Sequence, residues 1–258
     1  MIQATRVHTP DGRYYQIGDE QYPSVTTILS AISKPALSRW IEQQTIVQTI
    51  AAADAVYRST LTQPPLSSTT FATAVQARLK LQPGKSRTLA MNIGTEAHAL
   101  IEWRLRAMLG QHGPRPTVSD PAETAYVAWE SWAIQHDLEP IWIEETVWSS
   151  RYRYAGTMDL LCKLDGHLTL IDWKTGKAVY PEAFLQNVAY QRAYNEMGHE
   201  PVTQGRIVRL PKTADDCVEV IPVPIGVDEF EIFLAIRAVF EWQRRQKDRK
   251  STRLNSSH

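Results

Sequence analysis

The chain has 258 residues, 43% of them hydrophobic and 22% charged, enough for one sizeable core or one core with a small appendage. Lys plus Arg and Asp plus Glu both number 28, so no global basic field announces a polyanionic partner, and any such contact must be local. No apolar run reaches the ~20 residues of a membrane span; the N-terminus has no apolar leader segment, and Cys162 and Cys217 fit no Cys-x-x-Cys pattern, which points to a reducing cytoplasm.

In chain order, residues 13–22 read as a short hairpin turning at Gly18-Asp19, and Ser24 reads as the N-cap of a helix carrying Ile28, Leu29 and Ile32. A helix is expected over 35–57, a Pro/Ser/Thr-rich loop over 60–70, and another helix over 71–81, stopped by Pro83-Gly84. Gly94-Thr95-Glu96-Ala97-His98 leads into a helix to Leu109, with Ala97, Ile101, Leu105 and Met108 at helical spacing and His98 at the edge of that stripe. Asp120-Pro121-Ala122-Glu123 reads as a capping box opening a helix to about His136. The period then changes to that of strands: 141–148, 152–164 and 168–174 form an antiparallel meander, a helix covers 181–197, and stretches 205–210 and 217–222 complete the sheet before a last helix from about Asp228. Trp40, Trp103, Trp129, Trp132 and Trp148 lie in apolar-periodic segments and are expected in packing roles. Residues 248–258 read, codon for codon, like the translation of a DNA-sequencing adapter; they are expected to be an artefact, with the natural sequence departing near Lys247. The expected organisation is a hairpin and helical cover over 1–90 and a core domain over 91–247.

The chemistry concentrates in Ile171-Asp172-Trp173-Lys174-Thr175. On a strand, alternation puts Asp172 and Lys174 on one face and Trp173 on the other. Asp159 lies thirteen positions before Asp172 (172 − 159), across a turn at Asp165-Gly166, so a hairpin brings the second carboxylate to the first. Two hard oxygen ligands beside a lysine suit Mg²⁺ next to a phosphodiester. Gln186 and Tyr190, four apart, share a helical face. Singly these features are ordinary: an Asp-x-Lys on a strand is most often an exposed ion pair, and a lone histidine a boundary residue. Their order along the chain carries the weight.

His98 in Gly-Thr-x-x-His, Asp159 in Ala155-Gly156-Thr157-Met158-Asp159, Asp172-x-Lys174 and Gln186-x-x-x-Tyr190 together resemble the PD-(D/E)XK nuclease superfamily in its RecB-like branch, over roughly residues 23–194. The opening Tyr22-Pro23-Ser24-Val25-Thr26-Thr27-Ile28-Leu29 is similar to the start of its phage and bacterial exonucleases and of the mitochondrial genome-maintenance exonuclease. The resemblance implies an α+β, restriction-endonuclease-like fold, a central mixed sheet flanked by helices with a helical N-terminal part. It implies Mg²⁺ or Mn²⁺ held by Asp159 and Asp172 with the Trp173 carbonyl, and His98 as a further ligand from its helix. Glu144 or Glu145 would add a carboxylate through water, with the family spacing favouring Glu144. Lys174 would orient or help deprotonate the attacking water and stabilise phosphate charge, and Gln186 and Tyr190 would support Lys174 or grip a DNA phosphate.

The implied activity is metal-dependent hydrolysis of DNA in recombination, repair or phage replication. The long helical stretch 23–81 is a candidate roof over the cleft, with Tyr57, Arg58, Phe71 and Arg78 available to stack and track a strand, which favours an exonuclease on single strands or free ends. A structure-specific endonuclease and a non-catalytic DNA-binding module are the alternatives; the second would have been expected to lose a carboxylate or the lysine. Two cysteines exclude the iron-sulfur subgroup. With no phosphate-binding Gly-x-x-x-x-Gly-Lys-Ser/Thr loop, ATP-driven translocation would fall to a separate helicase or recombinase partner. Arg87, Arg104, Arg151, Arg153, Lys163, Lys177 and Arg192 are candidates for a local basic rim.

Overall fold

The computed structural model describes residues 4–32, 35–60, 66–80, 85–223 and 227–255. The chain divides into two compact units, Ser33–Asn92 and the combination of Met1–Ile32 with Ile93–His258. The break after Asn92 falls beside the expected one at residue 90, but residues 1–32, expected with the helical cover, go with the larger unit. The reason is apolar: Tyr15, Ile17 and Tyr22 bury against Ala155, with Trp148 packed beside them, and Ser24 makes a parallel bridge to Ala155.

Those N-terminal strands, β1 (Ala4–Thr9), β2 (Gly12–Ile17) and β3 (Glu20–Pro23), form an antiparallel sheet in that order. The hairpin β2–β3 is the one expected from sequence. Strand β1 was not, since it buries no side chain fully and so shows no apolar alternation; it forms by pairing along β2 from Ala4↔Ile17 to Thr9↔Gly12. Ser24 caps α1 (Val25–Leu29), its hydroxyl oxygen accepting the Thr27 amide at 3.0 Å. The smaller unit contains α2 (Pro35–Thr60) and α3 (Ser68–Lys80). The expected stop at Pro83-Gly84 and the side chains of Trp40 and Arg87 lie outside the described residues.

Helix α4 (Lys85–Met108) crosses the division at residue 92 and carries His98 in its larger-unit part. Helix α5 (Asp120–Ala133) starts one residue earlier than the expected capping box, with Ser119 as its N-cap. Ser119 does not cap through its hydroxyl; its amide and hydroxyl both donate to Glu96 of α4, at 2.9 and 2.5 Å, tying the two helices together.

The main sheet is β4 (Leu138–Ser149), β5 (Tyr154–Leu164), β6 (His167–Lys174), β7 (Gln204–Arg209) and β8 (Glu219–Val223), neighbours in that order. Strands β4, β5 and β6 form the antiparallel meander, β6 and β7 run parallel with α6 (Pro181–Glu196) between them, and β8 returns antiparallel. Helices flank both faces of this mixed sheet. Leu170, Met158 and Ile207 pack with α1, α6 and α7 (Val227–Asn255) on one side. Ile171, Leu160 and Val208 pack with α4 and α5 on the other. No helix among the described residues is long and apolar enough to cross a membrane. Strand β6 ends between an antiparallel neighbour, β5, and a parallel one, β7.

Candidate functional site

At that end of β6 the pleat sorts three consecutive residues. Trp173 turns toward α5 and meets Trp129 and Trp132 edge-on, with ring centroids 6.1 and 5.8 Å away. Asp172 and Lys174 turn the other way and form an ion pair, Asp172 fully buried and Lys174 with 29% of its side chain exposed. The buried indole pins the register, because a one-residue slip would carry Trp173 out of its aromatic pocket.

Backbone pairing between β5 and β6 ends at Leu160↔Ile171. Beyond it the Asp159 carboxylate takes the place of a strand carbonyl and accepts the Trp173 amide at 2.8 Å. Across β5 on the other side, Ile143↔Leu160 and Glu145↔Met158 bracket Glu144 and Asp159. Both strands change phase here. Ile143 and Leu160 face the α4–α5 layer, while Val147 and Met158 face the α6 layer, which strict alternation along either strand forbids. Glu144 absorbs the twist with a left-handed backbone, φ 53°, a conformation costing a non-glycine residue about 1–2 kcal/mol. The phase change aims both carboxylates toward one point.

His98 reaches the same point from α4. Its Nε2 lies 3.2 Å from the Trp173 carbonyl and its Nδ1 lies 3.6 Å from Asp159 Oδ2. A carbonyl only accepts, so Nε2 carries a proton and donates to it, which leaves Nδ1 facing a carboxylate oxygen. A proton or a cation fits between that nitrogen and that oxygen. His98, Glu144 and Asp159 each offer one ligand atom, and these atoms lie within 4.8 Å of one another. One imidazole with hard carboxylate oxygens suits Mn²⁺ or Mg²⁺. Gly94, one turn before His98, lets α4 approach the strand end: a Cβ there would stand 3.1 Å from the Thr175 hydroxyl.

Of the residues expected at a metal, the structure groups His98, Glu144 and Asp159 directly. Glu144, not the exposed Glu145, turns inward. Asp172 stands outside this group, its Oδ1 accepting from Gln186 Nε2 at 3.0 Å and its Oδ2 paired with Lys174. The Trp173 carbonyl is engaged with His98. Gln186 and Tyr190 do share a face of α6: Gln186 Nε2 also donates to the Tyr190 hydroxyl at 3.2 Å, and Gln186 Oε1 accepts from Lys174 Nζ at 3.4 Å. Tyr190 is buried, and its ring fills the space that a Cβ on Gly156 would occupy.

The electrostatics follow from crowding acids in a half-dry corner. Burial, then Asp159 and Glu102, push the Glu144 carboxyl up to about 8. Burial likewise raises Asp172 to about 6 against the opposing pull of Lys174. For Lys174 burial disfavours the charge, but Asp172 and Asp159 outweigh it, and the ammonium titrates above the ordinary lysine value. Burial, reinforced by Asp172, raises Tyr190 well above the usual phenol, so it remains a hydroxyl.

Several candidates for a basic rim have other roles. Arg153 pairs with Glu20 at 2.8 Å, Arg104 with Glu130 at 3.5 Å, and Arg151 and Arg192 lie over the rings of Tyr152 and Phe230. The sequence reading missed Thr157, two residues before Asp159, whose hydroxyl oxygen meets Tyr15 Oη at 2.8 Å and accepts from Arg6 Nη2 at 2.9 Å. No protein-family model matches this chain, and no curated protein sequence matches it.

Proposed function

We propose that this protein is a divalent-metal-dependent deoxyribonuclease of the PD-(D/E)XK type that hydrolyses phosphodiester bonds, acting on single-stranded DNA or free DNA ends. The observation that carries the reading is the convergence of His98, Glu144 and Asp159 on one point beside the Asp172–Lys174 ion pair at the end of β6. Four elements contribute these groups, and the Glu144 backbone is strained to do so. An arrangement built at a cost in stability is more readily understood as a site than as packing.

In this reading His98, Glu144 and Asp159 hold Mg²⁺ or Mn²⁺. When bound, the ion supplies a Lewis acid for the phosphate and acidifies its water. The Trp173 carbonyl fixes the His98 ring through Nε2–H, keeping Nδ1 free as the ligand atom. Lys174 stays protonated, so its Nζ donates to the attacking water or to a non-bridging phosphate oxygen and steadies the charge that grows there. Asp172 keeps that ammonium in place, and Gln186, bridging Asp172, Lys174 and Tyr190, fixes the carboxylate against α6. Water oxygen forms the new bond to phosphorus as one ester oxygen departs, which takes up the proton the water loses. A reducing cytoplasm and a separate helicase or recombinase belong to the same proposal.

The experiment is incubation of purified protein with Mg²⁺ or Mn²⁺ on linear and covalently closed single-stranded DNA of equal length. Degradation of the linear strand alone, abolished by EDTA, is the expected result. Nicking of closed circles would replace the exonuclease with an endonuclease. Intact DNA in every arm, with the protein folded and metal present, would overturn the nuclease reading.

A further inference from the structure

The small N-terminal sheet ends on the strand that carries Asp159. Arg6 and Tyr15 are cross-strand partners in β1 and β2, so their side chains leave the same face of the sheet. Both arrive at Thr157: Tyr15 Oη lies 2.8 Å from its hydroxyl and Arg6 Nη2 donates to it at 2.9 Å. Thr157 precedes Asp159 by two positions on β5. The Arg6 guanidinium therefore lies beside the carboxylate corner without an ion-pair contact to it among those described, and its field still reaches Glu144, where it opposes the upward push of the neighbouring acids.

The partners of this arginine are out of proportion to its capacity. A guanidinium carries five N–H donors in a planar fork suited to bidentate contact with phosphate, while the hydrogen bond described for Arg6 is a single exposed one to a neutral hydroxyl. Tyr15 is buried and positions Thr157 from below. Arg104 and Arg153, expected at the rim, are committed to Glu130 and Glu20.

Resting on the nuclease reading, we propose that Arg6 is a substrate-binding residue that grips a phosphate of the DNA strand next to the one being cut, with Thr157 holding the guanidinium ready between encounters. The N-terminal sheet thus supplies a wall of the substrate groove. An anion that must come close to Glu144 and Asp159 meets a cation first, which offsets the repulsion between phosphate and carboxylates.

The test is anisotropy of a fluorescently labelled single-stranded oligonucleotide titrated with the full chain in EDTA, so that binding is read without cleavage. Arg6→Ala should weaken binding about tenfold at low salt, as loss of a charge-assisted hydrogen bond would. The slope of log Kd against log salt should fall by about 0.7, the share of one phosphate contact on a single strand. Arg6→Lys should keep the slope, and Thr157→Val should keep it too, because the hydroxyl only holds the guanidinium in place. An Arg6→Ala protein with wild-type affinity and slope overturns the proposal while leaving the metal site intact. A drop in melting temperature with unchanged binding also overturns it, marking Arg6 as a structural counter-charge. Wild-type protein that binds no oligonucleotide, and cuts none with Mn²⁺ present, overturns the inference together with the nuclease reading.

Discussion

The Asp159 carboxylate accepts the Trp173 amide at 2.8 Å where β5 and β6 cease to pair through their backbones. One side chain thereby ends a ladder and joins a cluster of acids, and His98 reads the opposite end of the same residue through its carbonyl. Strand geometry and the His98–Glu144–Asp159 group are thus joined through Asp159, which the proposed metal role would distinguish from Asp172.

Asp159→Asn and His98→Ala should each lower Mn²⁺ affinity on the order of a hundredfold, a loss of the size seen when metal sites lose supporting groups. Asp172→Asn should retain most of the affinity, since Asp172 lies outside the three-residue group, while cleavage still collapses. Calorimetric titration with Mn²⁺ alone checks this; equal losses of binding in Asp159→Asn and Asp172→Asn would return Asp172 to the ligand set.

Lys174→Ala should reduce the cleavage rate on the order of a hundredfold with a small change in KM, because the proposed role of the ammonium is to act on charge that develops at the transition state. Tyr190→Phe removes one hydrogen bond, from Gln186, and should cost roughly 0.5–1.5 kcal/mol of stability. Thermal melts and single-turnover rates on the two variants distinguish these effects, and a wild-type rate for Lys174→Ala would remove the lysine from the site.

Glu144 is held protonated by its surroundings up to about pH 8, against an ordinary glutamate value of 4.5. The folded state therefore keeps a proton that the unfolded chain gives up, and this contribution to stability is present below about pH 4.5 and lost as pH rises to about 8. Glu144→Gln cannot ionise, so in EDTA it should melt higher than wild type at pH 8, with the gap shrinking toward pH 5. Excess Mn²⁺ should reverse the order at pH 8 by stabilising only the wild type. Parallel pH dependences for the two proteins would show that Glu144 is ionised without metal.

Much of this architecture is legible in the residues. The Asp172-Trp173-Lys174 alternation, the Asp165-Gly166 turn and the one-turn spacing of Gln186 and Tyr190 follow from strand and helix periods, and the structure keeps each. What stayed hidden depends on partners distant in sequence. Strand β1 has no apolar pattern of its own and exists by pairing with β2, so Arg6 carried no signal of its place near Asp159. The phase change at Glu144 is likewise invisible, because it arises from two strands twisting together where their ladder loosens. Ser119 stands at the cap position in place of the expected Asp120, and its hydroxyl is held by Glu96 on another helix, a partner no local spacing reveals.

Gly156 has no functional group, yet the site depends on what it leaves out. The Tyr190 ring occupies the room a methyl would take, and from Tyr190 the contacts run through Gln186 to Asp172 and Lys174. Gly156→Ala should thus push the ring away and disturb an ammonium two contacts distant, slowing the proposed cleavage while leaving the His98, Glu144 and Asp159 group in place. The clearance beneath a phenol ring thereby sets where the lysine can stand, so under the proposed function a mutational scan should score Gly156 as sensitive although it carries no side chain to touch a substrate.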